Sequence, residues 1–131
     1  MRPRLIALAG LAVALGGCDG SSGPSPLCDA QVAVSVTNGP VPQFAWNRPC
    51  LVQGIYVFVA SAPSVGGPRL VWGVERAAGI SPPVRYGQAL NGAQVVLPAE
   101  PLASGASYIV DVSMVELVGS STIVGEQSFV R

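Results

Sequence analysis

From Ala30 to the C-terminus, apolar residues recur at every second position in short runs, and each run stops at a cluster of Gly, Pro, Asn or Ser. A period of two marks a half-buried strand, because successive side chains point to opposite faces of a sheet. The pattern predicts strands at Ala30–Thr37, Gln43–Trp46, Gly54–Ala60, Leu70–Arg76, Ala93–Leu97, Ser107–Glu116 and Thr122–Val130. No stretch carries the 3.6-residue period of an amphipathic helix. Valine is abundant, and 12 prolines and 16 glycines break the chain at close intervals. An all-β domain is punctuated in this way.

The alternation also assigns faces. Phe44 and Trp46 share one side of the second strand, Ile55, Val57 and Val59 one side of the third, and Tyr108, Val110, Val112 and Met114 one side of the sixth. The opposite side carries Tyr56, Phe58, Val71, Ile109, Val115 and Val124, relieved by Glu75, Asp111 and Ser113. A one-residue slip would exchange the two sets and place Asp111 in the core without a partner, a costly arrangement. Six neighbouring apolar residues exceed the scattered exposure normal for a surface. Tyr56, Phe58, Ile109 and Val115 are therefore a candidate binding face; the alternative is that they only cover the sheet.

Seven short strands in about 100 residues match the size and count of an immunoglobulin-like sandwich. The order Pro42-x-Phe44-x-Trp46, Ile55-x-Val57-x-Val59 and Leu102-x-x-Gly105-x-x-Tyr108-x-Val110-x-Val112 resembles a fibronectin type III domain. The tryptophan falls on the second strand, as in that family, whereas antibody domains carry it on the third. The last segment resembles the tyrosine corner. There Leu102 fills the core, Gly105 takes the positive φ of a tight turn, and Tyr108 returns its hydroxyl to backbone a few residues upstream. The resemblance covers residues 28–131, and a β-sandwich of another topology is the alternative.

The first 17 residues follow a different pattern. Arg2 and Arg4 precede an apolar run of eleven residues from Leu5 to Leu15, too short to span a bilayer as a helix but suited to a signal peptide. The run ends in Leu15-Gly16-Gly17-Cys18, which resembles the lipobox of bacterial lipoprotein precursors. The resemblance implies cleavage before Cys18 and lipidation of its thiol, each buried acyl methylene contributing roughly 0.8 kcal/mol to anchoring. An ordinary secretory signal is the alternative. Residues 18–27 then form a Gly-, Ser- and Pro-rich tether. Asp19 resembles an inner-membrane retention signal of enterobacterial lipoproteins, and the choice of inner or outer membrane stays open.

With Cys18 taken by lipid, Cys28 and Cys50 form an even pair in an oxidising compartment. Asn38-Gly39-Pro40 is a turn signal, and in a hairpin folded about Gly39 the two cysteines lie opposite each other. A disulfide there closes a loop of about 23 residues, worth roughly 3 kcal/mol by the chain-entropy argument. Two free buried thiols are the alternative.

Composition narrows the chemistry. All seven cations are arginines and histidine is missing, which removes the usual general base, the Schiff-base amine and the commonest metal ligand. After cleavage five arginines face seven acids, a net charge of −2, without the basic footprint that nucleic acid requires. No nucleophile elbow, phosphate-binding glycine loop, Cys-x-x-Cys pair or Arg-Gly-Asp is present. The acids stand singly and read as solvated surface carboxylates. Gly79–Gln88 reads as a loop in which Pro82-Pro83 favours polyproline II geometry, unable to join a central sheet. Arg85 and Tyr86 become a candidate exposed handle, with a covering loop as the alternative.

The reading is a non-catalytic interaction or structural module, lipid-anchored in the bacterial cell envelope. It uses no cofactor, metal or nucleic acid, and it has an envelope protein or a second copy as partner. A small envelope hydrolase or carbohydrate-active domain is the competing class, and it would require paired carboxylates or a histidine site.

Overall fold

In the computed structural model, residues 23–60, 67–115 and 120–131 are described, and among them the chain is all-β, with eight strands and no helix. The leader, Cys18, the tether up to residue 22 and Glu116 lie outside the described residues. The strands are β1 (Val34–Thr37), β2 (Gln43–Trp46), β3 (Val52–Val59), β4 (Arg69–Ile80), β5 (Val84–Arg85), β6 (Gln94–Leu97), β7 (Ser107–Val115) and β8 (Ser121–Val130). They form two antiparallel sheets, β1-β2-β5 and β6-β4-β3-β7-β8, an arrangement consistent with a β-sandwich.

The core lies where the alternation of β2, β3 and β7 puts it. Phe44, Val52, Ile55, Val57, Val110 and Val112 are fully buried. Phe44 reaches the larger sheet, its ring centroid 6.4 Å from Trp72 and 5.6 Å from Phe129. Tyr108 stacks on Phe129 at 5.6 Å. The Tyr108 hydroxyl accepts the Ala103 N–H at 2.8 Å. Gly105 holds φ at +78°, and Leu102 packs against the core from the same bend. A side chain at Gly105 would be strained in that left-handed conformation.

Four expectations need correction, each for a physical reason. Residues 30–33 do not begin β1, because this stretch bonds elsewhere. The Val32 N–H goes to the Val124 carbonyl on β8, and the Ala33 N–H goes to the Asn47 side chain. The first hairpin turns about Pro40 rather than Gly39, with Thr37 opposite Gln43 and Val34 opposite Trp46. Pro40, which has no N–H to offer a ladder, sits within the connection. Cys28 and Cys50 are nevertheless disulfide-bonded, but not as a rung of that hairpin. Leu27 bridges Leu51 in parallel, and the Cys28 N–H donates to the Leu51 carbonyl at 2.8 Å. Pro26 and Leu27, assigned to the tether, are therefore already bonded to the domain.

The third correction concerns Gly79–Gln88. Gly79 and Ile80 end β4, and Val84–Arg85 form an eighth strand paired with Gln43 and Phe44 at the edge of the smaller sheet. Two residues after the second proline suffice, because Val84 is buried and the Tyr86 N–H continues the ladder to the Pro42 carbonyl at 2.9 Å. The fourth concerns Val71 and Val124, expected on the outer face and found in the core. Each is the extra residue of a β-bulge, Val71 between the pairs Val57–Trp72 and Phe58–Leu70, Val124 between Val112–Gly125 and Ser113–Ile123. One inserted residue moves the alternation by one, so a strict period of two assigns these two to the wrong side.

Two outcomes test this fold. Replacing both Cys28 and Cys50 with Ser lowers stability in urea by roughly 3 kcal/mol; an unchanged midpoint would contradict the bracing role. Tyr108→Phe, which leaves the Ala103 N–H without its acceptor, costs about 1–2 kcal/mol. Tyr108→Ala, which also removes the ring from Phe129, costs about 3–5 kcal/mol by the same assay.

Candidate functional site

The outer face of the five-stranded sheet is built in rows by the strand register. In the central row Gly73 of β4, Tyr56 of β3, Asp111 of β7 and Glu126 of β8 stand side by side. One row on, Glu75, Gly54, Ser113 and Ile123 are aligned. On the other side Leu70, Phe58, Ile109 and Ser128 are aligned. Cross-strand neighbours on one face stand about 5 Å apart, close enough for their side chains to interact.

Tyr56 organises this surface. A Cβ at Gly54 would come 2.8 Å from its ring, and one at Gly73 would come 3.1 Å from it. The two glycines thus leave a trough on adjacent positions, and the ring lies in it. Its hydroxyl donates to the Glu75 carboxylate. Burial, reinforced by that carboxylate, raises the phenol pKa well above its ordinary value, so Tyr56 stays a neutral donor. The nearby Ser113 hydroxyl offsets part of that rise, although it makes no hydrogen bond of accepted geometry.

Asp111 and Ser113 belong to this outer face by register, yet they retain only 9% and 1% of their exposure. Asp111 Oδ1 and Ser113 Oγ are both buried without a hydrogen-bond partner. Burial first, then the charge of Glu126 and a hydrogen bond with it, push the Asp111 carboxyl up to about 6. The expectation of single, solvated carboxylates is therefore corrected: the β7–β8 hairpin brings two acids 15 positions apart into one cross-strand pair. Among the described residues no arginine answers them. Arg69 is bonded to Glu100 at 2.7 Å, Arg48 pairs with Asp29 at 3.7 Å, and Arg76 donates to the Gly79 carbonyl.

Asp111 and Glu126 are directly opposed cross-strand neighbours, and Glu126 adds to the rise of the Asp111 carboxyl. The cleft of about 360 Å³ on this side of the sheet is lined by Gln53, Glu75, Arg76, Gln94 and Val115, and it does not reach the pair.

The structure redistributes the residues of the sequence-predicted face. Tyr56, Phe58 and Ile109 are half-buried, and Val115 is 38% exposed. Tyr56 is bonded into the sheet rather than free to anchor a partner. Sequence reasoning missed Ile123, 46% exposed opposite Ser113, because the bulge at Val124 inverts the pattern there. Leu70 and the exposed Val96 beside Gly73 also border the face.

Arg85 and Tyr86 do not form a handle. Arg85 is exposed on the edge strand β5, but Tyr86 sets its ring against Trp72, 5.3 Å away. Its hydroxyl lies within donating distance of the Glu100 carbonyl (2.7 Å) and the Val71 carbonyl (3.2 Å). Tyr86 thereby pins residues 98–102 to the larger sheet.

The sign of the Asp111 effect follows from its raised pKa. A carboxyl raised from about 4 to about 6 on folding stabilises the domain below pH 4 and loses that contribution as pH rises through 6. The charged group facing it is Glu126 on β8, and the neutral phenol of Tyr56 on β3 is its other cross-strand neighbour. Asp111→Asn is expected to raise the melting temperature at pH 7.5 and to flatten its dependence between about pH 4 and 6. A melting temperature that falls equally at both ends of this range would contradict the assignment.

Comparison with known proteins gives no relative from which a role could be transferred: no family model, no curated protein and no solved structure matches the chain.

Proposed function

We propose that the chain is a lipid-anchored protein of the bacterial cell envelope whose fibronectin type III-like domain serves as a non-catalytic interaction or structural module. The observation that carries the reading is the segment Leu15-Gly16-Gly17-Cys18 behind an eleven-residue apolar run. An aliphatic residue, two small residues and a cysteine meet the needs of a signal peptidase that cleaves before a lipidated thiol. The Cys28–Cys50 disulfide fits an oxidising compartment. It also lies beside Pro26 and Leu27, where the tether joins the domain. Tension applied through the anchor would therefore meet covalently braced backbone.

Trp46 on β2 and the Tyr108 bend before β7 support the fibronectin type III likeness. The eighth strand goes beyond the seven that likeness implies. The non-catalytic reading is supported by the lack of His and Lys in the sequence. The interaction surface in this reading is Phe58, Ile109, Val115 and Ile123 around the acidic row, presented to an envelope protein or a second copy. Tethering to a membrane raises the effective concentration of such a partner.

Labelled fatty acid fed to expressing cells tests the anchor. The wild-type chain incorporates label and sediments with membranes, and Cys18→Ser abolishes both while leaving the thermal transition of the domain in place. A Ser variant that still carries label would refute the reading.

A further inference from the structure

We propose that the acidic row on the outer face, Glu126–Asp111–Tyr56–Glu75, receives a cationic side chain, an arginine or lysine set among apolar residues of a partner protein. The inference deepens the interaction surface described above and rests on that reading. Three carboxylates sit on this face in two adjacent rows, and the arginines of this chain whose partners are known are bonded elsewhere. The face thus carries negative charge that the domain itself does not neutralise, which is a complement to a basic group.

An independent observation points the same way. Asp111 Oδ1 and Ser113 Oγ are orphaned within the row, on side chains that are 9% and 1% exposed. Buried polar atoms are almost always hydrogen-bonded in native proteins, so two neighbouring orphans mark a place where a donor is missing. Asp111 and Glu126 are accessible to a different degree. Glu126 is exposed and meets an arriving cation first, with Asp111 buried beside it as its cross-strand neighbour. A guanidinium supplies five N–H donors in a planar fork, enough to hold two carboxylates at once. Tyr56 and Phe58 offer ring faces alongside, where a cation is further stabilised.

The setting selects the occupant. A divalent metal would need several convergent oxygen ligands, and no group of three or more acidic, His or Cys side chains among the described residues is placed to hold one. Phe58, Ile109, Val115 and Ile123 ring the acids with apolar surface. Such surface gains nothing from a bare ion and is covered by a protein segment with apolar flanks.

The purified full-length chain, isotopically labelled in mild detergent, is titrated with n-butylguanidinium chloride and followed by backbone amide chemical shifts. The expected result is saturable shifts at Tyr56, Asp111, Ser113 and Glu126, with affinity weakened at least about tenfold in both Asp111→Asn and Glu126→Gln. Glu126 is exposed, so the second variant retains the fold even if the first perturbs it. Shifts that do not saturate, that persist unchanged in both variants, or that calcium chloride reproduces at lower concentration would overturn the proposal. The titration needs neither lipid nor partner. Its failure with fatty acid labelling intact refutes the cation site alone, and loss of labelling with the titration intact refutes the anchor alone.

Discussion

Phe44 is the side chain on which the rest of the structure depends. It lies on the middle strand of the smaller sheet and is fully buried against Trp72 of β4 and Phe129 of β8. Those contacts join the two sheets, because β4 and β8 lie on opposite sides of β3 and β7 in the larger one. From Trp72 the packing continues to Tyr86, and from Phe129 to Tyr108. Each of these tyrosines then uses its hydroxyl to hold a connecting segment, 98–102 in one case and the bend at Ala103 in the other. Large aromatic rings contribute much of the buried area in a domain this small.

Because the core is closed from one side only, the larger sheet keeps a second face. That face is not a uniform apolar patch. Two glycines make room for Tyr56, Tyr56 ties itself to Glu75, and Ser113 and Asp111 lie buried on the neighbouring strand. A carboxylate beside another carboxylate, mostly out of water and without a cation, weakens the fold near neutral pH. Local arrangements that oppose stability in this way are expected where a surface serves something other than folding. Under the proposed function, the acidic row serves recognition and the Cys28–Cys50 disulfide braces the point where the tether joins the domain.

Much of the fold was legible in the alternation. Gln43–Trp46 is found at the bounds expected, and β6 starts one residue later than expected. Local patterning cannot report where a chain leaves its ladder. Residues 30–33 alternate like a strand yet donate to β8 and Asn47. Bulges are equally silent, and both misplaced valines, Val71 and Val124, are bulge residues. The disulfide pair was legible from the count of cysteines, but the hairpin offered as its geometry was off by one position, and the bond is set by the Leu27–Leu51 bridge instead. The acid pair could have been found by folding the last hairpin about its turn. Asp111 and Glu126 lie within the two predicted strands, and only the bulge prevents their pairing from being read by simple counting.

The central claim is that Asp111 sits on the outer face as an unneutralised, sheltered carboxylate paired with Glu126. The most direct measurement is the titration of the Asp111 side-chain carboxyl carbon by NMR between pH 3 and 8. The account predicts a midpoint at about 6, moving toward the ordinary value when Glu126 is changed to Gln. A midpoint near 4 in the wild-type protein, where an exposed aspartate titrates, would contradict it.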